Sequence, residues 1–290
     1  MSLVTDTGPT KLRAAACWDD WMRAWRECLE KTRRRPLSAW ESAPAARRYW
    51  EDAWAFQRDR IELLVSELRP EPGKKILDIG SGPGVLAVPL AGRGAEVTAV
   101  DPADGMISFL KERIAASAAS GVILRIECLA KRWEEVDVAR DLAPPYDAAV
   151  ASLSLLMNGI ADCLAKMRFV CRGEVLLLWT SGHGVWESQL RRLYPLLYGL
   201  DYVPRPGVEL LVQVLKELDW RYEVRRLDFL YRESFGSRAE ALEHFKRYFA
   251  VERPEKVAAL EAFISENLKP GDGRLTLSHP YQAALIKAFA

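Results

Sequence analysis

Apolar positions along the chain follow two rhythms that meet near Gly73. Before it, Trp18, Trp21, Met22, Trp25 and Leu29 recur at steps of three and four, which predicts one face of a helix. Arg33, Arg34, Arg35 and Pro36 end that helix and read as a solvated basic turn. A second helix is expected over 43–68, and Pro70, Pro72 and Gly73 mark a boundary. After Gly73 short apolar runs alternate with helical segments. Strands are predicted over 75–79, 96–100, 122–128, 147–152 and 174–180, with helices over 85–92, 105–119, 133–141 and 160–170.

That alternation predicts a parallel sheet, and right-handed crossovers make it doubly wound. Beyond residue 185 the order loosens into helices over 186–198 and 208–218, a strand over 222–231, helices over 238–249 and 255–268, and a last strand over 283–289. The expected fold is α/β: a doubly wound, mostly parallel seven-stranded sheet with helices on both faces and a helical insertion before the last strand. Residues 1–72 form an N-terminal helical extension or cover. Residues 73–290 form a Rossmann-like domain, with a cofactor half over 73–182 and a substrate half over 183–290.

Composition narrows the partners. Hydrophobic residues are 49% and charged residues 28%, enough for a sizeable core, and the net charge of +1 gives no overall pull toward nucleic acid or an anionic membrane. The five cysteines form no Cys-x-x-Cys pair, so a reduced set with no metal site is expected. No apolar run reaches the length of a membrane span, and the residues before Cys17 lack a signal-peptide core, so a cytoplasmic protein is expected.

The chemistry concentrates where the first strand runs into Asp78-Ile-Gly-Ser-Gly-Pro-Gly84. Without a Cβ, Gly80, Gly82 and Gly84 let the backbone turn sharply and let a ligand approach its amides. Asp101, ending the second strand, is placed to accept hydrogen bonds from the two ribose hydroxyls of a nucleoside. A pyrophosphate-binding turn needs a glycine where Val85 stands, and Asp78 would repel two phosphates while attracting an amino group. The turn therefore suits a zwitterionic, sulfonium-bearing ligand better than a dinucleotide.

These residues resemble the class I, Rossmann-like S-adenosylmethionine-dependent methyltransferases, over about residues 74–180. The resemblance implies S-adenosyl-L-methionine as cofactor and S-adenosyl-L-homocysteine as product. It places Asp78, Gly80, Ser81, Gly82 and Gly84 under the methionine part. Asp101 falls at the ribose, followed by Pro102, with Met106 near the adenine. Where the family often has an acid for the adenine amine this chain has Arg132, followed by Trp133, and Ser152 after the fourth strand is the candidate for a further cofactor contact. Pro144-Pro145-Tyr146 precedes that strand, whereas the proline motif of amino methyltransferases follows it, so it reads as a turn.

No residue is assigned as catalytic. The activated methyl group comes from the cofactor, so a base is optional. His183, Tyr194, Tyr198, His244, Tyr248, His279 and Tyr281 are the side chains from which one would come. The N-terminal aromatics Trp40, Tyr49, Trp50 and Trp54 read equally as a cover over the site or as fasteners to the sheet. A small-molecule acceptor is expected, with a homodimer possible and no nucleic acid or membrane partner. A protein methyltransferase and a non-catalytic S-adenosylmethionine-binding regulator remain alternatives.

Overall fold

A computed structural model describes residues 12–32, 42–182, 184–271 and 273–289. Five parallel strands, β1 (Lys75–Ile79), β2 (Glu96–Val100), β3 (Ile126–Leu129), β4 (Tyr146–Ser152) and β5 (Cys171–Thr180), join antiparallel β6 (Arg221–Phe235) and β8 (Arg274–Phe289) in the order β3-β2-β1-β4-β5-β8-β6. The short β7 (Leu268–Gly271) pairs with the start of β8, so the sheet has eight strands rather than the expected seven. Leu-Lys-Pro-Gly carries no apolar alternation, which hides β7 from a periodicity argument.

The strands are apolar on both sides because helices cover both faces. On one face α1 (Arg13–Lys31), α7 (Ile160–Val170) and α9 (Val208–Glu217) pack against Leu77, Ala149, Leu177 and Ile286. On the other, α3 (Arg58–Leu68), α4 (Ala87–Ala91) and α5 (Asp104–Ala119) pack against Ile76, Val150, Leu178 and Leu285. Successive residues of a strand thus serve opposite cores. A third cluster joins α8 (Val185–Tyr198), α10 (Arg238–Phe249) and α11 (Pro254–Asn267) around Phe235 and Leu277.

Several expected elements shift. The helix over 43–68 is two, α2 (Ala43–Phe56) and α3, broken at Gln57, whose φ of −125° leaves the helical range. The strand over 122–128 starts only at Ile126, because Val122 and Ile123 lie exposed at the sheet's margin. Residues 133–141 form a single 3₁₀ turn at Trp133–Glu135 and the short α6 (Val138–Asp141), whose two amides the Asp137 side chain caps. On α1, Trp18 and Met22 are fully buried while Trp21, one step off the stripe, is exposed.

The last two strands run longer than their apolar cores. β6 continues to Phe235 and β8 begins at Arg274, and from residue 282 back to 275 β8 has left β5 and pairs with β6. Pro280 sits in this stretch, where its missing N–H faces no partner strand on the β5 side.

Candidate active site

At the end of β1 the chain turns through Gly80, Gly82 and Gly84, at φ of +71°, +55° and +86°, a backbone region that side chains rarely allow. The three differ in what surrounds them. A Cβ on Gly80 would stand 2.2 Å from the Ser154 Cβ, and one on Gly84 would stand 2.4 Å from a Leu110 methyl. The nearest atom to a Cβ on Gly82 is Tyr49 Cε1, at 4.0 Å. Packing therefore demands the outer glycines, and the middle one borders open space beside α2.

Hydrogen bonds fix this turn to the end of β2. The amides of Gly80 and Ser81 both donate to the Val100 carbonyl, at 2.7 and 3.1 Å. One oxygen of Asp101 accepts from the Gly82 amide and the other from the Ala103 amide, each at 2.9 Å. Glycine turn and second-strand acid are thus one unit. Burial raises the Asp101 pKa, with those two amides opposing it. Asp78, buried in β1, is pushed up to about 7 by burial and by the neighbouring Asp101 charge, with the Ala87 amide opposing.

Buried polar atoms are almost always paired. Here Asp78 Oδ2 and Ser81 Oγ are buried without a hydrogen-bond partner among the described residues. Two orphaned acceptors beside a glycine-framed space suit a ligand that brings polar hydrogens, and an amino-acid ammonium does so. Pro102 is half-buried beyond Asp101. Met106 is buried with Ala46, Ala103 and Phe109, with Tyr49 and Trp50 packed beside them. Ser152, at the end of β4, accepts a hydrogen bond from Arg60 Nη1 at 3.0 Å. The Trp133 ring lies in the sheet core, where its Nε1 donates to the Cys163 carbonyl at 3.0 Å, so its backbone is what remains for a ligand. Arg132 is exposed.

Residues 76–173 match a family model described as a methyltransferase domain. An uncharacterized protein of Haemophilus influenzae is 29% identical over 116 residues, 40% of this chain and 41% of that protein, so the chain spans less than half of this relative. The ubiquinone biosynthesis O-methyltransferase of Ruegeria pomeroyi is 30% identical over 200 residues, 61% of this chain and 75% of that one. This chain belongs to the class I S-adenosylmethionine-dependent methyltransferases. Among solved structures, magnesium protoporphyrin IX methyltransferase from Synechocystis PCC 6803 with bound SAH is similar with a TM-score of 0.52 at 13% identity, covering 83% of this chain and 86% of that one, which shows the shared fold. S-adenosylmethionine is the cofactor.

A second group of side chains gathers on the outer stretch of β6 and β8. One face of that strand pair reads, pair by pair, Leu227 opposite Ala283, Phe229 opposite Tyr281, Tyr231 opposite His279, Glu233 opposite Leu277 and Phe235 opposite Leu275. It begins in the sheet core and turns aromatic as it passes the carboxyl end of β5. Phe229 stacks on Tyr281 at 5.5 Å, and His279 stacks between Tyr231 at 4.9 Å and Trp186 at 5.4 Å.

α2 brings charge to this face. Arg48 reaches Glu233 at 3.3 Å and Asp52 at 3.6 Å, His244 Nε2 lies 3.1 Å from Glu233 Oε1, and the Tyr231 hydroxyl donates to Glu233 Oε2 at 3.4 Å. Burial raises Glu233 to about 7 and Asp52 to about 6 even with Arg48 beside them. Burial, with the charges of Arg48 and Arg247 adding to it, lowers His244 to about 3. The imidazole is neutral at pH 7.

Of the candidate bases, His244, His279 and Tyr281 therefore share this wall, and Tyr248 stacks beside His244 at 6.2 Å. Tyr194 is buried in the third cluster, and the Tyr198 hydroxyl donates to the Phe249 carbonyl at 2.5 Å. His183, Trp40, Arg33, Arg34 and Arg35 lie outside the described residues. Asp52, Arg60, Tyr231 and Glu233 carry no motif, so nothing local in the sequence marks them as site residues. The strand expected over 222–231 stops short of Glu233, although the alternation of Phe229, Tyr231 and Glu233 is a signal that one face continues. A separate open cleft at the opposite edge of the sheet is lined by Arg69, Lys74, Asp147, Arg172 and Glu174. It lies at the amino ends of the parallel strands, away from where such sheets bind ligands.

Proposed function

We propose that this methyltransferase acts on a small molecule held between α2 and the outer face of β6 and β8. The observation that supports this reading is the position of α2, which borders the open space at Gly82 through Tyr49, packs against β6 and pairs with Glu233 of the wall through Arg48. Residues 1–72 then serve as a cover over both ligands, and 73–290 as the domain that carries them. No helix among the described residues is long and apolar enough to cross a membrane.

In this reading Asp78, Gly80, Ser81, Gly82 and Gly84 hold the methionine part of the cofactor. Asp101 and Pro102 hold the ribose, with Met106 and the Arg132–Trp133 backbone at the adenine and Ser152 at the junction with the acceptor. When bound, S-adenosylmethionine supplies a methyl group on a positively charged sulfur. The chain's own work is to orient and desolvate. The stacked pair Phe229–Tyr281 gives a flat surface for an acceptor, and Glu233, raised to about 7 with Arg48, His244 and the donating Tyr231 hydroxyl around it, is the group able to hold a proton that leaves it.

The test is transfer of labelled methyl from S-adenosylmethionine to fractionated cell extract. Label in a filterable product is expected. Label in a protease-sensitive product would move the reading to a protein acceptor, and cofactor binding without transfer to any fraction would leave a non-catalytic regulator.

A further inference from the structure

β6 closes one side of the sheet: it pairs with β8 along its whole length, and no strand among the described residues pairs with its other edge. It runs for 15 residues, about 50 Å of backbone on which alternate N–H and C=O groups face outward. An edge of this kind is normally kept from pairing by lysine, proline or a bulge. Residues 221–235 contain no lysine and no proline, and the register with β8 runs unbroken from Arg221 to Phe235. The strand carries charges of both signs instead, and it exposes two apolar side chains, Val224 at 42% and Leu230 at 41%.

The order of those residues says which strand fits. Two copies of one strand meet edge to edge about a two-fold axis perpendicular to the sheet, antiparallel, so that each residue faces another from the same side of the strand. An axis at Leu227 sets Arg226 opposite the partner's Asp228 and Val224 opposite the partner's Leu230, and no like charges meet anywhere along residues 221–233. Moving the axis by one residue sets Arg226 or Asp228 against its own copy, and axes farther out shorten the paired stretch. Within the chain Arg226 reaches Glu209 on α9 and Asp228 accepts from Gln282, each at 3.1 Å, contacts that leave further N–H donors and a second carboxylate oxygen for a partner. We propose that β6 is a dimer interface, pairing with β6 of a second copy about an axis at Leu227, so that one continuous sheet spans both. Cross-strand pairs of opposite charge and of apolar side chains are what stabilise such a junction. The same register sets the partner's Arg225 opposite Phe229 and the partner's Glu223 opposite Tyr231, so each acceptor wall is bordered by charges from the other copy. That consequence rests on the function proposed above, whereas the pairing itself does not.

Sedimentation velocity on the full chain at micromolar concentration is the first test. The wild type is expected to sediment at twice the monomer mass, and a monomer overturns the proposal. Charge reversal then tests the register. Arg226→Asp brings two acids together on each side of the axis, and Asp228→Arg brings two arginines together. Each single variant is expected to raise the dimer's Kd roughly tenfold or more, and the double variant to restore it toward the wild-type value. Glu209→Gln frees Arg226 from its partner within the chain while reversing nothing across the axis, and its dimer is expected to be as strong as the wild type's. A dimer indifferent to both single reversals lies on another surface and overturns the proposal. Loss that the double variant does not recover, or equal loss in Glu209→Gln, overturns it as well. Leu230→Arg is an independent variant should a reversal fail to fold: it sets a charge against the partner's Val224, loss of the dimer is expected, and a dimer of wild-type strength overturns the proposal. None of these measurements involves methyl transfer, so their failure leaves the methyltransferase reading intact, and an absence of transfer leaves the interface standing.

Discussion

The glycine turn after β1 and the outer face of β6 and β8 lie beside the same helix, α2, and are built in opposite ways. In the turn the specificity is in the backbone: three residues at positive φ, amides tied to Val100 and Asp101, and side chains kept out. On the β6–β8 pair the backbone is regular and interchangeable, and everything distinctive is in what the side chains carry. One region is fixed by what it omits, the other by what it adds. Damage to the first is expected to remove cofactor binding or the fold itself, and damage to the second to alter transfer while the cofactor still binds.

The largest expected effect is at Gly80. Alanine there puts a Cβ 2.2 Å from the Ser154 Cβ at a φ of +71°, and a loss on the order of 3 kcal/mol is expected in chemical denaturation. A midpoint near that of the wild type would break the contrast at once. Gly82→Val comes next and sharpens it: its φ of +55° strains the variant, but with nothing nearer than 4.0 Å to its Cβ the loss of stability should be smaller than at Gly80, while the side chain enters the ligand's space and S-adenosylhomocysteine binding should vanish from calorimetry. A folded variant with unchanged affinity would show that the open space is not the cofactor's. Asp101→Ala should weaken the same binding by about 1–3 kcal/mol, since it removes an acceptor and releases two amides.

The pH dependence is a smaller effect with a defined sign. Asp78 has a folded-state pKa of about 7, above its unfolded value near 4. For the free protein, the raised value means that stability is full below the unfolded pKa and is lost as pH rises through 7. For cofactor binding the sign reverses, because the ammonium group needs the ionised acid. Affinity should be full above pH 7 and fall below it with a limiting slope of about tenfold per unit. Asp78→Asn should flatten both profiles, and a titration whose slope survives that substitution would assign the proton elsewhere. The smallest change in binding is expected at the outer wall: Glu233→Gln should leave S-adenosylhomocysteine affinity within about twofold while methyl transfer falls. Equal loss of both would erase the division between the two regions.

The same division explains what was legible in the sequence. The turn at 78–84 and the acid at 101 are local, because a backbone that must bend within a few residues writes its need for glycine at fixed spacing. The five parallel strands were legible for a similar reason, each being a short run that two cores require to be apolar. The wall was not. Arg48 and Asp52 come from α2, Tyr231 and Glu233 from β6, His279 and Tyr281 from β8 and His244 from α10, and they meet only through tertiary packing. Their strand positions alternate with exposed Leu230 and Arg232, so the stretch reads as mixed polarity. Arg60 was hidden in another way: nothing in Gln-Arg-Asp-Arg says which arginine turns inward.

The departure of β8 from β5 near Ala283 also bears on how such a protein changes through descent. Residues inward of that point answer to two neighbouring strands and a core on either face, so few replacements survive there. Residues outward of it answer chiefly to β6, where an exchange at one cross-strand pair leaves the sheet's register untouched. A lineage can therefore acquire a new acceptor by rewriting a handful of outward positions while inheriting the cofactor's half unaltered.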